Sequence, residues 1–404
     1  MPDIFRLFVN FRSTWHGSNR SLKKIHAVYQ ELYQIVTGPQ KEILLINWRD
    51  IKNPEAGGAE VYYHEIFKRL AGNQMYRVTV LSHAWRGAAR TEQVDTTTVI
   101  RIGSKHLFNF SVFFWVRTHQ AEYDCIIEDL NKVPFFTPLY TTRPRLHLVM
   151  HFFGASIFKE TGFPMAFYIW FMEKLVPAAY KNEQFVAISQ STGNEIRKFS
   201  KNPDRIDIIE PGIDTKAFYP SCKKSESPLL VYIGRIKKYK NAQFMIRCLP
   251  AIRKEFPSAK LVIAGAGDYL SPLKNLANRL GLNNAVDFPG FISETEKQDL
   301  LSSATLKINP SIKEGWGITN VEANLCGTIS ISSNVPGLCD SVKDGVTGLL
   351  FRYNDPDDFL EKVLRTLKNP SLRAEMEKSA TAWAKEFAWD GIAERMNAVL
   401  KKIV

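Results

Sequence analysis

The sequence predicts an α/β protein of two similar-sized domains, each built on a parallel β-sheet with helices on both faces. Three observations support this class. Short runs rich in Val, Ile and Leu alternate with stretches of helical apolar spacing from about residue 40 to the end of the chain. A turn-rich segment, residues 211–228, interrupts the alternation, and the same alternation starts again at Leu229. This break indicates a linker between two units of the same kind.

The first domain is predicted to span residues 41–215. Its strands are nearly continuous apolar runs, which is typical of parallel strands that are covered on both faces. Between the first two runs, residues 59–70 have the apolar period of an amphipathic helix. The predicted strands are residues 43–47, 77–82, 97–102, 125–128, 146–151, 185–189 and 206–209.

The second domain is predicted over residues 216–385, and a packing helix with an apolar stripe follows over residues 386–404. Ligands of such α/β sheets bind at the carboxyl ends of parallel strands, in the cleft between domains. The predicted strands of this half are residues 229–233, 261–264, 286–288, 306–309, 329–332 and 349–351.

Composition limits the class of protein. The 404 residues include 45% hydrophobic and 23% charged residues, close to the globular average, which excludes a disordered or collagen-like chain. The 53 Lys and Arg residues exceed the 41 Asp and Glu residues and give a formal charge of +12, which favours an anionic partner. No apolar run reaches the ~20 residues of a membrane-spanning helix. Five scattered cysteines without C-x-x-C spacing favour reduced thiols and a cytoplasmic location.

Two segments raise the question of a membrane surface. Residues 1–40 combine basic and aromatic residues, which is typical either of a segment that lies on a membrane or of a loosely ordered basic extension. The second segment consists of Phe163, Phe167, Trp170 and Phe171 beside Lys174. These rings either form an insertion face or belong to an ordinary buried helix. The sequence alone leaves both questions open.

The strongest chemical signal is the Gly-rich turn of residues 314–318. A predicted strand ends shortly before it, and a helix is predicted to begin near Ile318, directly after two glycines. Free backbone N–H groups at a helix start bind anions, and glycines allow a phosphate to approach closely. Glu314 and Glu322 flank this turn, and a carboxylate suits the paired hydroxyls of a ribose or a hexose. The turn therefore predicts a phosphate site with a carboxylate on either side.

Three further features follow predicted strands. Arg235 and Lys240 can bind a phosphate, although a basic loop is commonly no more than a solvated surface. Gly57 and Gly58 precede a helix, where they allow either a close phosphate contact or a plain tight turn. His151 ends a predicted strand, where a lone histidine is more often structural than catalytic, and its position on the cleft rim is what favours a catalytic role.

Other nucleotide-binding patterns match poorly. Gly265-Ala266-Gly267 begins a dinucleotide fingerprint, but Leu270 stands where the third glycine belongs. No G-x-x-x-x-G-K-[ST] motif is present, which excludes the P-loop nucleotide hydrolases. The one Asp-x-Asp sequence is Asp355-Pro356-Asp357, in a turn-like run near the end of the second domain, and this placement disfavours a metal-held nucleotide sugar.

Glu314 and Glu322, separated by seven residues, resemble the E-x7-E motif of the family-4 retaining glycosyltransferases of GT-B fold. E-x7-E alone is a weak pattern, but further matches run along almost the whole chain after residue 40, and in this order the set is specific. They are Gly57-Gly58-Ala59-Glu60, Val186-Ala187-Ile188-Ser189, Glu210-Pro211-Gly212-Ile213-Asp214, Ile233-Gly234-Arg235, Lys240-Asn241, Ala264-Gly265-Ala266-Gly267, Pro336-Gly337 and Asp344-Gly345-Val346-Thr347-Gly348.

The resemblance implies two Rossmann-like domains that face each other across a cleft, with the C-terminal helix packing back on the first domain. It implies an enzyme that moves a hexose from a nucleotide-diphosphate sugar to a saccharide or lipid-linked acceptor, in surface polysaccharide or glycolipid synthesis. It implies no metal and no cofactor, because cationic side chains and a helix start neutralise the diphosphate. The expected location is cytoplasmic or peripheral, on the inner face of the membrane.

The resemblance also implies roles for individual residues. His151 would lie against the anomeric centre, Arg235 and Lys240 would neutralise the leaving diphosphate, and Glu314 would contact the transferred sugar. Glu322 would bind the donor ribose. The full donor-binding set comprises Gly57, Gly58, Arg235, Lys240, Gly267, Glu314, Gly315, Trp316, Gly317, Ile318 and Glu322.

Rival functions of the same fold stay open. A nucleotide-sugar 2-epimerase acts on the donor alone and needs further acid–base carboxylates, which the sequence does not identify. A non-catalytic nucleotide-sugar-binding protein is disfavoured because Arg235, Lys240 and Glu322 are all present. A nucleic-acid partner is not expected, because the basic residues are dispersed and no nucleic-acid module is recognisable.

Overall fold

The structure is a computed structural model that describes residues 40–131, 133–159 and 161–404. The basic extension predicted at residues 1–40 therefore lies outside the described residues, except for its last residue. Two separate sheets of mainly parallel strands form the framework of the molecule. The predicted fold class, two α/β domains with parallel sheets, is confirmed.

The first domain is built on an eight-stranded sheet. Its strands are β1 (Lys41–Ile46), β2 (Tyr76–His83), β3 (Thr91–Val94), β4 (Thr97–Ile102), β5 (Cys125–Asp129), β6 (Arg145–Val149), β7 (Phe185–Ala187) and β8 (Ile206–Ile208). Its helices are α1 (Gly58–Gly72), α2 (Phe108–His119), α3 (Phe163–Tyr180) and α4 (Gln190–Arg197). The strand order is β3-β4-β2-β1-β5-β6-β7-β8, so the central β1 and β5 are buried between helices.

One strand of this sheet is absent from the sequence prediction. β3 pairs antiparallel with β4 at the sheet edge, whereas the other strand pairs of the sheet are parallel. Only Val94 of its four residues is buried, so β3 lacks the apolar run on which the prediction depends. Asp95, with a φ of 51°, forms the tight connection to β4. The sheet is therefore parallel as predicted except at this edge, where β3 adds an antiparallel strand that the sequence did not indicate.

The second domain is built on a six-stranded parallel sheet. Its strands are β9 (Leu229–Ile233), β10 (Lys260–Ala264), β11 (Val286–Gly290), β12 (Leu306–Asn309), β13 (Ser330–Ser333) and β14 (Gly348–Phe351). Its helices are α5 (Ala242–Glu255), α6 (Leu270–Arg279), α7 (Glu294–Ser303), α8 (Ile318–Leu325), α9 (Pro356–Lys368) and α10 (Pro370–Ala384). The order β11-β10-β9-β12-β13-β14 places β9 and β12 at the point where the strand order reverses, which is where α/β sheets bind ligands.

The last helix, α11 (Trp389–Leu400), lies against the first domain. The rings of Tyr62, on α1, and Trp389 are 6.5 Å apart, and Arg69 pairs with Asp390 at 2.8 Å. The preceding segment crosses over the linker, where the Ile213 N–H donates to the Phe387 carbonyl at 2.7 Å. Burial of the apolar stripe of α11 therefore joins the end of the chain to the first domain.

The helix α3 presents aromatic rings to solvent. Phe163, Phe167 and Phe171 are 71%, 49% and 48% exposed, while Trp170 is half-buried and packs on a small core cluster. The alternative of an ordinary buried helix is therefore wrong for these three rings. Among the described residues, no helix has both the length and the apolar character needed to cross a bilayer.

Candidate functional site

The loop that joins β12 to α8 carries the Gly-rich turn. Gly317 is the N-cap of α8 and has a φ of 87°, in the left-handed region that favours glycine. Within the described part of the chain, the backbone N–H groups of Gly315, Trp316 and Gly317 donate no hydrogen bond. Free N–H groups that meet at a helix start form a site for an anion. The loop therefore has the geometry of a phosphate site.

Glu314 and Lys240 form an ion pair inside this site. Glu314 Oε1 lies 2.5 Å from Lys240 Nζ, and the two side chains are only 18% and 12% exposed. The Ser311 hydroxyl donates to the same carboxylate oxygen at 2.8 Å. Burial opposes ionisation of Glu314, but Lys240 and Ser311 outweigh it and lower the pKa of Glu314. The pair therefore fixes the Lys240 ammonium beside the phosphate site.

Arg235 lies at the mouth of the same site. Its side chain is exposed and makes no ion pair with any carboxylate that the structure describes. One Nη atom lies 3.4 Å from the hydroxyl of Tyr239, and the ring of Tyr239 lies 5.1 Å from Lys240 Nζ. Tyr239 thus contacts both cations, and the guanidinium of Arg235 remains available to an anion in the cleft.

Glu322 offers an unused acceptor. The residue is 7% exposed, and its Oε1 accepts a hydrogen bond from Lys297 Nζ at 3.0 Å. Its buried Oε2 has no hydrogen-bond partner in the described residues. Burial raises the pKa of Glu322, and the Lys297 charge offsets part of that rise. A buried acceptor without a donor favours a ligand hydroxyl as its partner.

The first domain brings His151 and Gly58 to this loop. A Cβ at Gly315 would lie 3.7 Å from His151 Nδ1, and a Cβ at Gly58 would lie 3.8 Å from Ile318 Cδ1. β6 ends at Val149, so His151 lies two residues beyond the strand and not at its last position as predicted. The two domains therefore meet at the Gly-rich turn, with His151 on the facing side.

Three residues of the predicted donor set have roles in the fold itself. Gly57 is the N-cap of α1, and its N–H donates to a glutamate of that helix at 2.7 Å. A Cβ at Gly267 would lie 2.1 Å from the Ile236 carbonyl oxygen, so glycine is required where the two loops touch. The Trp316 ring is 2% exposed and packs on the Phe387 ring at 4.9 Å. The ring of Trp316 is thus in the core, and its backbone alone faces the cleft.

Sequence reasoning missed two residues of the second domain, Lys313 and Asp340, that contact the first domain. Lys313 Nζ donates to the Phe152 carbonyl oxygen and lies 3.4 Å from Glu195. Asp340 accepts a hydrogen bond from the Ser191 N–H at 3.1 Å. Lys313 stands directly before Glu314, and this adjacency was the one signal in the sequence. The contacts of Lys313 therefore hold the Gly-rich loop against the first domain, and Asp340, which lies between β13 and β14, adds a second link between the domains.

The cleft thus combines a helix-start anion site, two cations and two carboxylates between two parallel α/β domains. Across the described residues no three His, Cys, Asp or Glu side chains are grouped to hold a metal ion. This fold and this cleft define the class of GT-B glycosyltransferases. Residues 56–217 match the family described as Glycosyltransferase Family 4, and residues 215–383 match the family described as Glycosyl transferases group 1. The chain belongs to the family-4 glycosyltransferases.

Curated relatives match over part of their length. The chain is 28% identical over 240 residues to D-inositol 3-phosphate glycosyltransferase 2 of Catenulispora acidiphila. This match covers 55% of this chain and 56% of the relative. It is 30% identical over 218 residues to D-inositol 3-phosphate glycosyltransferase of Mycolicibacterium paratuberculosis, which covers 50% of this chain and 48% of the relative. The chain therefore spans roughly half the length of these relatives.

Solved structures match over nearly their whole length. Sucrose-phosphate synthase from Thermosynechococcus elongatus has a TM-score of 0.73 at 20% identity, with 90% of this chain and 99% of that chain covered. Anabaena HepE in complex with UDP-glucose has a TM-score of 0.68 at 18% identity, with 90% of this chain and all of that chain covered. At such identities the likeness establishes the fold.

Proposed function

We propose that the chain transfers a hexose from a nucleotide-diphosphate sugar to a saccharide or lipid-linked acceptor, with retention of configuration and without a metal. One observation carries this proposal. Positive groups converge at the carboxyl ends of β9 and β12, opposite His151. They are Arg235, Lys240 and the free N–H groups of residues 315–317. They supply positive charge where a departing diphosphate gains negative charge. The complex of HepE with UDP-glucose supports a nucleotide sugar as the donor.

In the proposed reaction an acceptor hydroxyl attacks the anomeric carbon on the face that the diphosphate leaves. The new bond joins the acceptor oxygen to the anomeric carbon, and the bond from that carbon to the phosphate oxygen breaks. The hydroxyl proton passes to the departing phosphate oxygen, and a nucleoside diphosphate is released. The protein contributes position and charge stabilisation: Glu322 Oε2 accepts from the ribose, and Glu314 fixes Lys240 and borders the sugar.

The function is tested by a donor screen. Nucleotide release from UDP-, GDP- and ADP-sugars is measured with and without saccharide and lipid-linked acceptors. We expect release from one donor class to rise sharply when an acceptor is added, because attack on the anomeric carbon needs the acceptor hydroxyl. Retention is read from the anomeric configuration of the product by NMR.

The same screen separates the rival functions. Conversion of the donor sugar to its 2-epimer without an acceptor would identify an epimerase. Donor binding without turnover under any acceptor would identify a non-catalytic nucleotide-sugar-binding protein. Either result would contradict the proposed transferase.

We further propose that the acceptor is reached at the inner face of an anionic membrane, in surface polysaccharide or glycolipid synthesis. The surface concerned is the aromatic face of α3, made of Phe163, Met165, Phe167, Tyr168, Phe171 and Leu175. The rings of Phe163, Phe167 and Phe171 stack at 6.3 Å and 6.4 Å between neighbouring centroids. An exposed apolar patch of this kind is typical of an interaction surface.

The aromatic face has a charge and a position that suit an anionic membrane. Lys174 is exposed, with Nζ 5.5 Å from the Trp170 ring, and a basic residue among aromatics favours an anionic leaflet. The one acid of α3, Glu173, is used inside the protein, where it accepts from the N–H groups of Phe153 and Gly154 at 2.8 Å. α3 is thereby tied to the loop that follows His151, so an acceptor held at the membrane would lie near the cleft.

The double variant Phe167→Gln/Phe171→Gln is expected to bind anionic vesicles at least tenfold more weakly. Each half-exposed ring contributes about 1–2 kcal/mol when it leaves water, and glutamine preserves the helix. Co-sedimentation with phosphatidylglycerol vesicles at low salt measures this. Phe291→Gln, which changes an 86% exposed ring of the second domain, is the matched control and is expected to bind as the wild type does. Absence of wild-type binding at low salt, or equal binding by all variants, would contradict the proposal.

A further inference from the structure

A lysine is buried in the strand that leads to the Gly-rich turn. Lys307, on β12, has no exposed surface, and the residues on either side of it, Leu306 and Ile308, are apolar. An ammonium ion loses its hydration on burial, so a lysine in such a place needs a polar partner. That partner is the side-chain oxygen of Asn320, in the first turn of α8.

Asn320 connects Lys307 to the start of α8. Its Nδ2 donates to Ser341 Oγ at 2.9 Å, and its N–H donates to the Gly317 carbonyl at 2.9 Å. A Cβ at Gly317 would lie 2.7 Å from Ser341 Oγ and 3.2 Å from Asn320 Nδ2. The three polar side chains therefore lie directly beneath the turn that carries the free N–H groups.

We propose that Lys307 is a positioning residue for donor binding, whose buried ammonium adds positive charge beneath the start of α8 and holds Asn320 under the phosphate site. This inference rests on the proposed function, because it concerns the site that was there assigned to the donor diphosphate. Asn320 links Lys307 to the phosphate site, because its side chain bonds both to the Lys307 ammonium and to Ser341.

The pKa of Lys307 lies close to neutral pH, so nearby charges change the fraction of Lys307 that is protonated. Burial lowers the pKa of Lys307 from 10.5 to about 7, while Glu314 and Glu322 oppose that shift and Lys240 adds to it. A diphosphate bound at α8 brings negative charge and raises this pKa again. By linkage, protonation of Lys307 then favours donor binding to the same extent.

The test is the pH dependence of donor affinity. UDP-glucose, GDP-mannose and ADP-glucose are titrated calorimetrically into the full chain from about pH 6 to about pH 8.5, a range over which the diphosphate of a nucleotide sugar keeps its charge. We expect the wild-type Kd to rise about tenfold as the pH passes 7, because the ammonium loses its proton. Lys307→Met is expected to bind weakly and with a flat profile.

Lys224→Met is the matched control. Burial lowers the pKa of Lys224 to about 8, but its Nζ bonds to the Ala304 carbonyl at 2.9 Å and to Thr328, beyond the far end of α8. This variant should keep the wild-type profile. The inference is overturned if the donor Kd of Lys307→Met changes with pH as the wild-type Kd does. This includes the case in which the variant binds more weakly than the wild type by the same factor at every pH. If the wild type binds none of the three nucleotide sugars, the proposed function fails first, and the inference fails with it.

A second measurement needs no donor. The folded-state pKa of Lys307 lies below its ordinary value of 10.5, so between pH 7 and that value the unfolded chain binds the extra proton. Wild-type stability therefore rises with pH in this window relative to Lys307→Met. The variant should have the higher Tm at pH 7, with a gap that narrows toward about pH 9. A constant gap would overturn the assignment of a buried titrating lysine.

Discussion

Replacing Lys240 by alanine is expected to lower turnover at least ~100-fold, which is the effect of losing one preorganised charge-stabilising group. Lys240 is held in place before the donor binds, because its ammonium pairs with Glu314 and its side chain is only 12% exposed. The charge is therefore in position when the diphosphate departs and needs no reorganisation. Steady-state kinetics with the donor identified in the screen measure the loss in kcat.

The controls use neighbours in the same basic loop. Arg235→Ala is expected to lose a similar factor, since Arg235 is the second cation at the site and has no competing carboxylate in the described structure. Lys238→Ala removes an exposed lysine of the same loop and should leave turnover unchanged. Near-normal turnover by folded Lys240→Ala protein would contradict the assignment, as would an equal loss in Lys238→Ala.

Strand positions could be predicted from the sequence to within a few residues because buried parallel strands are apolar along their whole length. β9, for example, has the predicted bounds, Leu229–Ile233. The edge strand β3 could not be found, since half-exposed polar residues carry no such signal. Whether the rings of α3 are buried depends on which other elements pack over them, and the local sequence pattern does not predict that packing.

The candidate site was predictable where chemistry depends on residue type. Such a site needs a carboxylate, a cation and free backbone N–H groups. Those groups are supplied by Glu314, Lys240 and the glycines of the turn, and the structure brings them together. The orientation of Trp316 was not predictable, because its ring enters the core while its backbone stays in the cleft. Lys307 was missed for a related reason. A single lysine in a strand becomes meaningful only once the structure shows Asn320 above it.

The second large loss of activity is expected from a substitution at Gly337, which packs against the backbone of the Gly-rich turn at Glu314. Gly337 has a φ of 84°, and a Cβ there would lie 2.1 Å from the Glu314 carbonyl oxygen. Gly337→Ala therefore combines about 1–2 kcal/mol of left-handed strain with a clash against backbone that cannot rotate away. The peptide from Glu314 to Gly315 must move. A shift of about 1 Å in a positioning element costs on the order of 100-fold in turnover.

Gly345→Ala isolates the clash from the strain. Gly345 has a φ of 74° in the same domain, but nothing lies within 4 Å of the position of its Cβ. Both variants carry the left-handed strain and should lose similar Tm from that source, whereas only Gly337→Ala should lose about two orders of magnitude in kcat/KM. Equal activity in the two variants would mean that displacement of this loop does not limit turnover. The ion pair of Glu314 and Lys240, with the free N–H groups beside it, would then not be the group that stabilises the departing diphosphate.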